Sequence, residues 1–111
     1  MNDTEPTLVT FRDHATRLGR IIADDHSSEV GSWGRRIEIE SERYPGQRLV
    51  MEVCVREQAD LRVVWGYGAL AGDNGEQNLI EVAPSAVRSE REMWQLVAWT
   101  GGQIAARLER P

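Results

Sequence analysis

Three stretches in mid-chain alternate apolar with polar residues, and in each the apolar side chains fall on odd numbers. The first carries Ile37 and Ile39, the second Leu49, Met51, Val53 and Val55, the third Leu61, Val63, Trp65 and Tyr67. A period of two marks a half-buried strand, with successive side chains on opposite faces. The pattern predicts strands over 36–42, 48–56 and 61–67. Between the first two, Tyr44-Pro45-Gly46 suits a tight turn, because proline presets φ and glycine takes a positive one. A three-residue turn also keeps odd residues facing odd residues across the hairpin. Residues 57–60 turn the chain into the third strand. A fourth strand is expected over 78–83, with Ile80 and Val82 inward and Pro84 stopping it.

The flanks have a different period. Leu8, Phe11, Ala15, Leu18 and Ile22 recur at spacings of three and four. They predict an amphipathic helix that closes near Asp25, at the polar run His26-Ser27-Ser28. Thr4 with Pro6, Thr7, or Thr10 can cap it, and Leu8 to Phe11 is also compatible with a short strand. Near the other end, Ser89-Glu90-Arg91-Glu92 is a capping box. It opens a second helix whose apolar stripe is Met93, Val97, Ile104 and Leu108. Residues 29–35, with two glycines, read as a loop; Gly66, Gly68, Gly72 and Asp73-Asn74-Gly75 read as a mobile one. The expected fold is α+β in the order α-β-β-β-β-α. It is a four-stranded antiparallel meander with the N- and C-terminal helices packed on one face, and residues 1–111 form a single domain.

Gly101 and Gly102 fall inside the second helix, where each costs about 1 kcal/mol relative to alanine. Ala98, Gly102 and Ala106 lie on one line at i+4, as do Ala15, Gly19 and Ala23 in the first helix. Two lines of small residues allow two helix backbones to approach, so the helices are expected to pack on each other. The competing expectation is that the glycine pair breaks the helix in two.

Composition narrows the range of partners. A net charge of −5 and a pI near 5.0 weigh against nucleic acid and anionic membranes, and they permit a basic protein partner. All thirteen basic side chains are arginine, which fits a GC-rich bacterial genome and removes lysine-based covalent chemistry. One cysteine, Cys54, excludes an internal disulfide and suits a reducing compartment. There is no apolar run of membrane-spanning length, and Met1 to Glu5 is polar and acidic, unlike a secretory leader. A cytoplasmic location is expected.

The chemistry-bearing residues form no catalytic set. The histidines, His14 and His26, fall in or just after the first helix, away from Cys54. His14, Asp24, Asp25, His26 and Glu29 contain no pair with metal-ligand spacing on one helix face. The segment Gly66 to Gly72 follows a strand as a dinucleotide loop would, but its glycine spacing is wrong and Asp73-Asn74-Gly75 interrupts where a helix must begin. Glu38, Glu40 and Glu52 could pair as carboxylates for acid–base work, yet Arg48, Arg56 and Arg62 are at hand to neutralise them. No catalytic residue, cofactor or metal is therefore assigned.

What remains is the even-numbered face of the strands. Glu38, Glu40, Glu52 and the loop residues Asp73 and Glu76 would steer a partner. Val50, Val64 and Cys54 would give a small apolar patch beside Arg62. Trp65 and Trp94 are expected in the core. Trp33 lies in a glycine-flanked loop and Trp99 points away from the apolar stripe, so either can anchor an interface, unless Trp99 covers the first helix. The leading expectation is a non-catalytic acidic module that masks a protein partner, as inhibitors, immunity-type proteins and secretion chaperones do. The alternatives are a homodimer, a small-molecule pocket between the helices and the Gly66–Gly75 loop, and a small enzyme with a carboxylate-based site.

Overall fold

The structure is a computed structural model that describes residues 8–110. Its elements run α1 (Leu8–Thr16), β1 (Arg20–Glu29), β2 (Ser32–Glu40), β3 (Arg48–Gln58), β4 (Leu61–Gly72), β5 (Gly75–Val87) and α2 (Glu90–Leu108). The strands form one antiparallel sheet in the order β1-β2-β3-β4-β5. The α+β class and the two terminal helices are as expected, but the meander has five strands rather than four. The capping candidates Thr4, Pro6 and Thr7 lie outside the described residues, and Thr10 is within α1. Among the described residues no helix is long and apolar enough to cross a membrane.

The additional strand uses residues that the helical spacing assigned to the first helix. α1 stops at Thr16, and the Leu18 N–H closes a turn on the Ala15 carbonyl at 3.0 Å. At Gly19 the backbone passes so close to the Glu40 carbonyl that a side chain would collide with it, and strand pairing starts there. Ile21 lies opposite Ile39, after which a bulge at Ile22 shifts the register. The polar run that resembled a helix end is thus the outer strand of the sheet, and its charged, bulged edge discourages pairing with other chains. Residues 29–35 are also largely strand, joined by a two-residue turn at Val30-Gly31.

Loop length decides which side chains face the helices. Residues 41–47, an odd number, join β2 to β3, so Ile37 and Ile39 face the same side as Met51 and Leu49, as the alternation predicts. Between β3 and β4 the turn is only Ala59-Asp60, with Ala59 at φ 53° and Gln58 opposite Leu61. A two-residue turn pairs odd with even. Val55, Val53 and Met51 therefore lie opposite Val64, Gly66 and Gly68. This reverses the expected parity of the third predicted strand. Val64 is buried in the core, while Trp65 and Tyr67 lie on the opposite face.

The segment 66–72 is continuous strand, not a mobile loop, and its glycines let α2 lie directly on the sheet. A Cβ at Gly66 would stand 2.8 Å from Thr100 Cγ2, and one at Gly68 2.7 Å from Ile104 Cγ2. That contact occupies the place proposed for a small-molecule pocket. β5 is longer than predicted and includes Pro84, which falls at the bulge between the Val64 and Gly66 pairings, where no ladder N–H is required. α2 is unbroken through Gly101-Gly102. Its Ser89 hydroxyl caps the helix by accepting from the Glu92 N–H at 3.1 Å, as a capping box requires, and also donates to the Glu92 carboxylate at 2.9 Å. The two helices do pack together. The tight position is Gly101, where a Cβ would lie 2.8 Å from the Phe11 ring, whereas Gly19 and Ala23 fall outside α1.

Candidate functional site

Both helices cover one side of the sheet, which leaves its other side open. The register sets one row of side chains across all five strands on that open face: Asp25, Arg36, Glu52, Tyr67 and Glu81. A neighbouring row carries Arg20, Glu40, Arg48, Ala71 and Glu76, and between the two run Glu38, Val50 and Ala69. Carboxylates outnumber guanidinium groups here, so the face is acidic although each arginine is engaged.

Arg36 is the hub. Its Nη1 donates to the Tyr67 hydroxyl at 2.7 Å and to Glu52 at 3.5 Å, its Nε to Glu38 at 3.3 Å, and its Nη2 to Glu76. Glu38 also accepts from Arg48 Nε at 2.7 Å. Tyr67 donates within the same group, 3.2 Å from Glu52 and 3.3 Å from Glu76. The hydrogen bond from Arg36 draws the Glu76 carboxyl below its ordinary range. The same bond, seen from the other partner, holds the Arg36 proton more tightly against the opposing effect of burial. Burial and the Glu52 charge push the Tyr67 phenol up to about 12, so it stays a donor throughout the physiological range.

The Arg36–Glu76 contact shows how the face is shaped. The two residues sit three strands and two rows apart, a separation of roughly 20 Å in a flat sheet, beyond the reach of their side chains. Bulges between Val64 and Gly66 and between Gly68 and Ala69 bend the β4–β5 hairpin over the face. Val50, Ala69 and Ala71 are consequently buried beneath this charged lattice although no second layer covers them, with Tyr67 packed alongside.

Next to the lattice lies a less charged hollow of about 170 Å³, bounded by Ser27, Gly34, Cys54, Arg56 and Trp65. The Arg56 guanidinium stands 5.8 Å from the Trp65 ring centroid. Cys54 donates to Glu52 at 3.5 Å, and burial, reinforced by the Glu52 charge, pushes its thiol up to about 11. Such a thiol is a poor nucleophile at neutral pH.

The residues singled out from sequence divide accordingly. Glu38, Glu52 and Glu76 share the lattice, and Glu40 lies at its border, paired with Arg20 at 2.6 Å. Asp73 is exposed in the hairpin turn beside them. Val50 faces the expected way but is fully buried, so it offers no apolar patch. Val64 belongs to the core beneath the helices. Arg62 has the reversed parity as well; it donates to the Arg88 carbonyl at 2.7 Å and braces the entry to α2. Trp33 is in β2, not a loop, and packs on Trp94 with ring centroids 5.5 Å apart. Trp99 is 53 % exposed on α2, far from this face. The sequence reading missed Arg36, Tyr67, Trp65, Asp25 and Glu81 as members of the surface. Only the register brings them into it.

On the helix side, Asp24 takes two hydrogen bonds from the buried Arg35, at 2.8 and 2.7 Å, and one from Arg12 of α1 at 3.3 Å. The Arg35 hydrogen bond lowers the Asp24 pKa against the cost of burial. This cluster ties β1 to β2 and to α1. His14 is held apart from it, against Gly101 and Gly102. Among the described residues no three His, Cys, Asp or Glu side chains are grouped so as to hold a metal ion. Comparison of the chain with models of protein families, with curated proteins and with solved structures returns no match.

Proposed function

We propose that this chain is a non-catalytic protein-binding module of the inhibitor, immunity-protein or adaptor type. It acts in the cytoplasm and takes a partner's basic surface onto the open face of its sheet. The observation that carries this reading is the arrangement of the face itself. Five strands leave one broad side uncovered, and a row of charged groups crosses it with a surplus of carboxylates. Arg36 and Tyr67 fix Glu38, Glu52 and Glu76 in place before any partner arrives, so these side chains have little freedom left to lose on binding. Asp25 and Glu81 at the two ends of the row form no ion pair among the described residues, Glu81 accepting only from the neutral Asn78 amide at 3.4 Å, and they would steer a cationic partner and speed its encounter.

The test is capture of a partner from native lysate on the immobilised chain, with the captured protein then measured against variants. Glu38 and Glu52 are poor choices for substitution, since they hold Arg48 and Arg36. Asp25→Arg with Glu81→Arg changes the row at its margins and spares the lattice. The association rate of the captured partner should fall steeply with salt, and the double variant should weaken binding by at least about tenfold. Binding that ignores both salt and the double variant would remove the open face from consideration.

A further inference from the structure

The solvent side of α2 is the second unusual surface. From Met93 to Ala106 the helix contains no charged residue, in a chain that is 28 % charged. That includes the exposed positions Gln95, Trp99, Gln103 and Ala106, which lie on one side of the helix at spacings of four, four and three. A surface helix ordinarily carries its charges on this side. An exposed tryptophan within an uncharged strip has the composition of an interface core, where charge is depleted and aromatic residues are enriched.

Charge returns only at the two ends of the helix, where Glu90, Arg91 and Glu92 are net negative and Arg107, Glu109 and Arg110 are net positive. Glu92 lies at the N-terminal end and Arg110, one residue past the C-cap Glu109, lies at the other. On the 100°-per-residue wheel Glu92 falls on the same side as Trp99, and Arg110 is exposed just beyond the far end of the helix. A surface that is negative at one end, neutral in the middle and positive at the other is complementary to itself after a two-fold rotation.

We infer that α2 pairs antiparallel with α2 of a second copy of this chain. Setting Glu92 opposite Arg110 of the second copy fixes the register. Trp99 then lies opposite the second copy's Gln103, beside Gly102 and Ala106, whose small side chains leave room for the indole. The open face of each sheet points away from this seam, so the dimer presents two partner surfaces. The inference is independent of the open-face reading, and neither depends on the other's outcome.

Sedimentation of the full chain over a concentration series tests it. The wild-type chain should form a dimer, and Trp99→Glu, an exposed substitution, should weaken it at least about a hundredfold while leaving unchanged the melting temperature measured at concentrations where both chains are monomeric. Glu92→Arg and Arg110→Glu should each weaken self-association a few-fold, and a one-to-one mixture of these two variants should associate more tightly than either alone, because both end contacts are then restored. Melting temperatures confirm that each variant is folded, which matters for Glu92→Arg because it loses the Ser89 contact. A wild-type chain that stays monomeric at millimolar concentration overturns the inference. So does a dimer that survives Trp99→Glu, or a mixture no tighter than its components.

Discussion

Replacing Gly66 with alanine tests whether α2 really lies against bare backbone. The new Cβ would stand 2.5 Å from the Glu52 carbonyl oxygen, 2.8 Å from Thr100 Cγ2 and 3.4 Å from Ile104 Cδ1. The Thr100 methyl is about 0.6 Å inside the 3.4 Å at which ordinary contact begins, and the Glu52 oxygen belongs to the neighbouring strand, which cannot yield without losing its own pairing. Overpacking of this kind costs about 1–3 kcal/mol. Alanine restores about 0.4–1 kcal/mol by restricting the unfolded chain. The net loss is about 1.3 kcal/mol, which lowers the melting temperature of a domain this size by about 6 °C. Thermal unfolding followed by circular dichroism reads it. Gly72→Ala is the control, because its Cβ would meet only the flexible Gln47 side chain, at 3.3 Å, and should change stability by less than about 0.5 kcal/mol. At Gly68 the nearest obstacle is Ile104 Cγ2 at 2.7 Å, with Ile80 Cγ2 next at 3.0 Å, so Ile104→Ala should relieve part of the cost of Gly68→Ala, and the pair should cost about 1 kcal/mol less than the two changes separately. If Gly66→Ala is as stable as Gly72→Ala, or if the Gly68–Ile104 pair is additive, the helix does not sit on the glycines and the described packing is wrong.

Burial against α2 lowers the His14 pKa, with Arg17 adding to it, so the folded state prefers the neutral ring. Its contribution is complete above the ordinary value of 6.5 and is lost as the pH falls toward the lowered folded value; His14→Gln should flatten the stability profile there, and an unchanged slope between pH 7.5 and pH 5.5 in urea titrations (roughly the imidazole range) would refute it. Asp24 and Glu76 are depressed by hydrogen bonds from Arg35 and Arg36, so their stabilisation is present above the ordinary carboxylate range and is lost on acidification through the lower folded values. Asp24→Asn and Glu76→Gln should each destabilise the chain at neutral pH and narrow its gap from wild type in acid; a gap that stays constant with pH would contradict the ion-paired assignment. With its thiol pushed up to about 11, Cys54 should react with a disulfide reagent at pH 8 roughly tenfold more slowly than an unperturbed cysteine, the loss of thiolate being partly offset by its greater nucleophilicity. Reaction at the ordinary rate would show that the thiol is not held beside Glu52.

Part of this structure is plain in the sequence because local chemistry and global packing agree. The Ser89–Glu92 capping box and the apolar stripe behind it specify α2, and the alternation from Ile37 to Val55 specifies two paired strands with Glu38 and Glu52 on the outer face. Where the reading departed, two local signals were ambiguous. Leu18 and Ile22 fit a helical period, but the close approach of Gly19 to Glu40 and the bulge at Ile22 place the same residues in a strand. The β3–β4 turn was the costlier ambiguity. Shortening 57–60 to the two-residue Ala59-Asp60 turn exchanges the faces of every residue in β4. That single change buried Val64, carried Arg62 to the helix side and brought Trp65 and Tyr67 onto the open face. The glycines at 66 and 68 resemble loop residues in sequence because the sterics that require them come from α2, thirty and more positions later. Arg36 as a hub is likewise invisible until the hairpin curls and brings Glu76 to it.

Whether the open face receives a partner is read most directly by amide chemical shifts of the isotopically labelled chain, titrated with the protein captured from lysate. The shifts should concentrate along Asp25, Arg36, Glu52, Tyr67 and Glu81, with α2 left unmoved. Shifts confined to the helices, with that row silent, would contradict the assignment of the sheet as the binding surface.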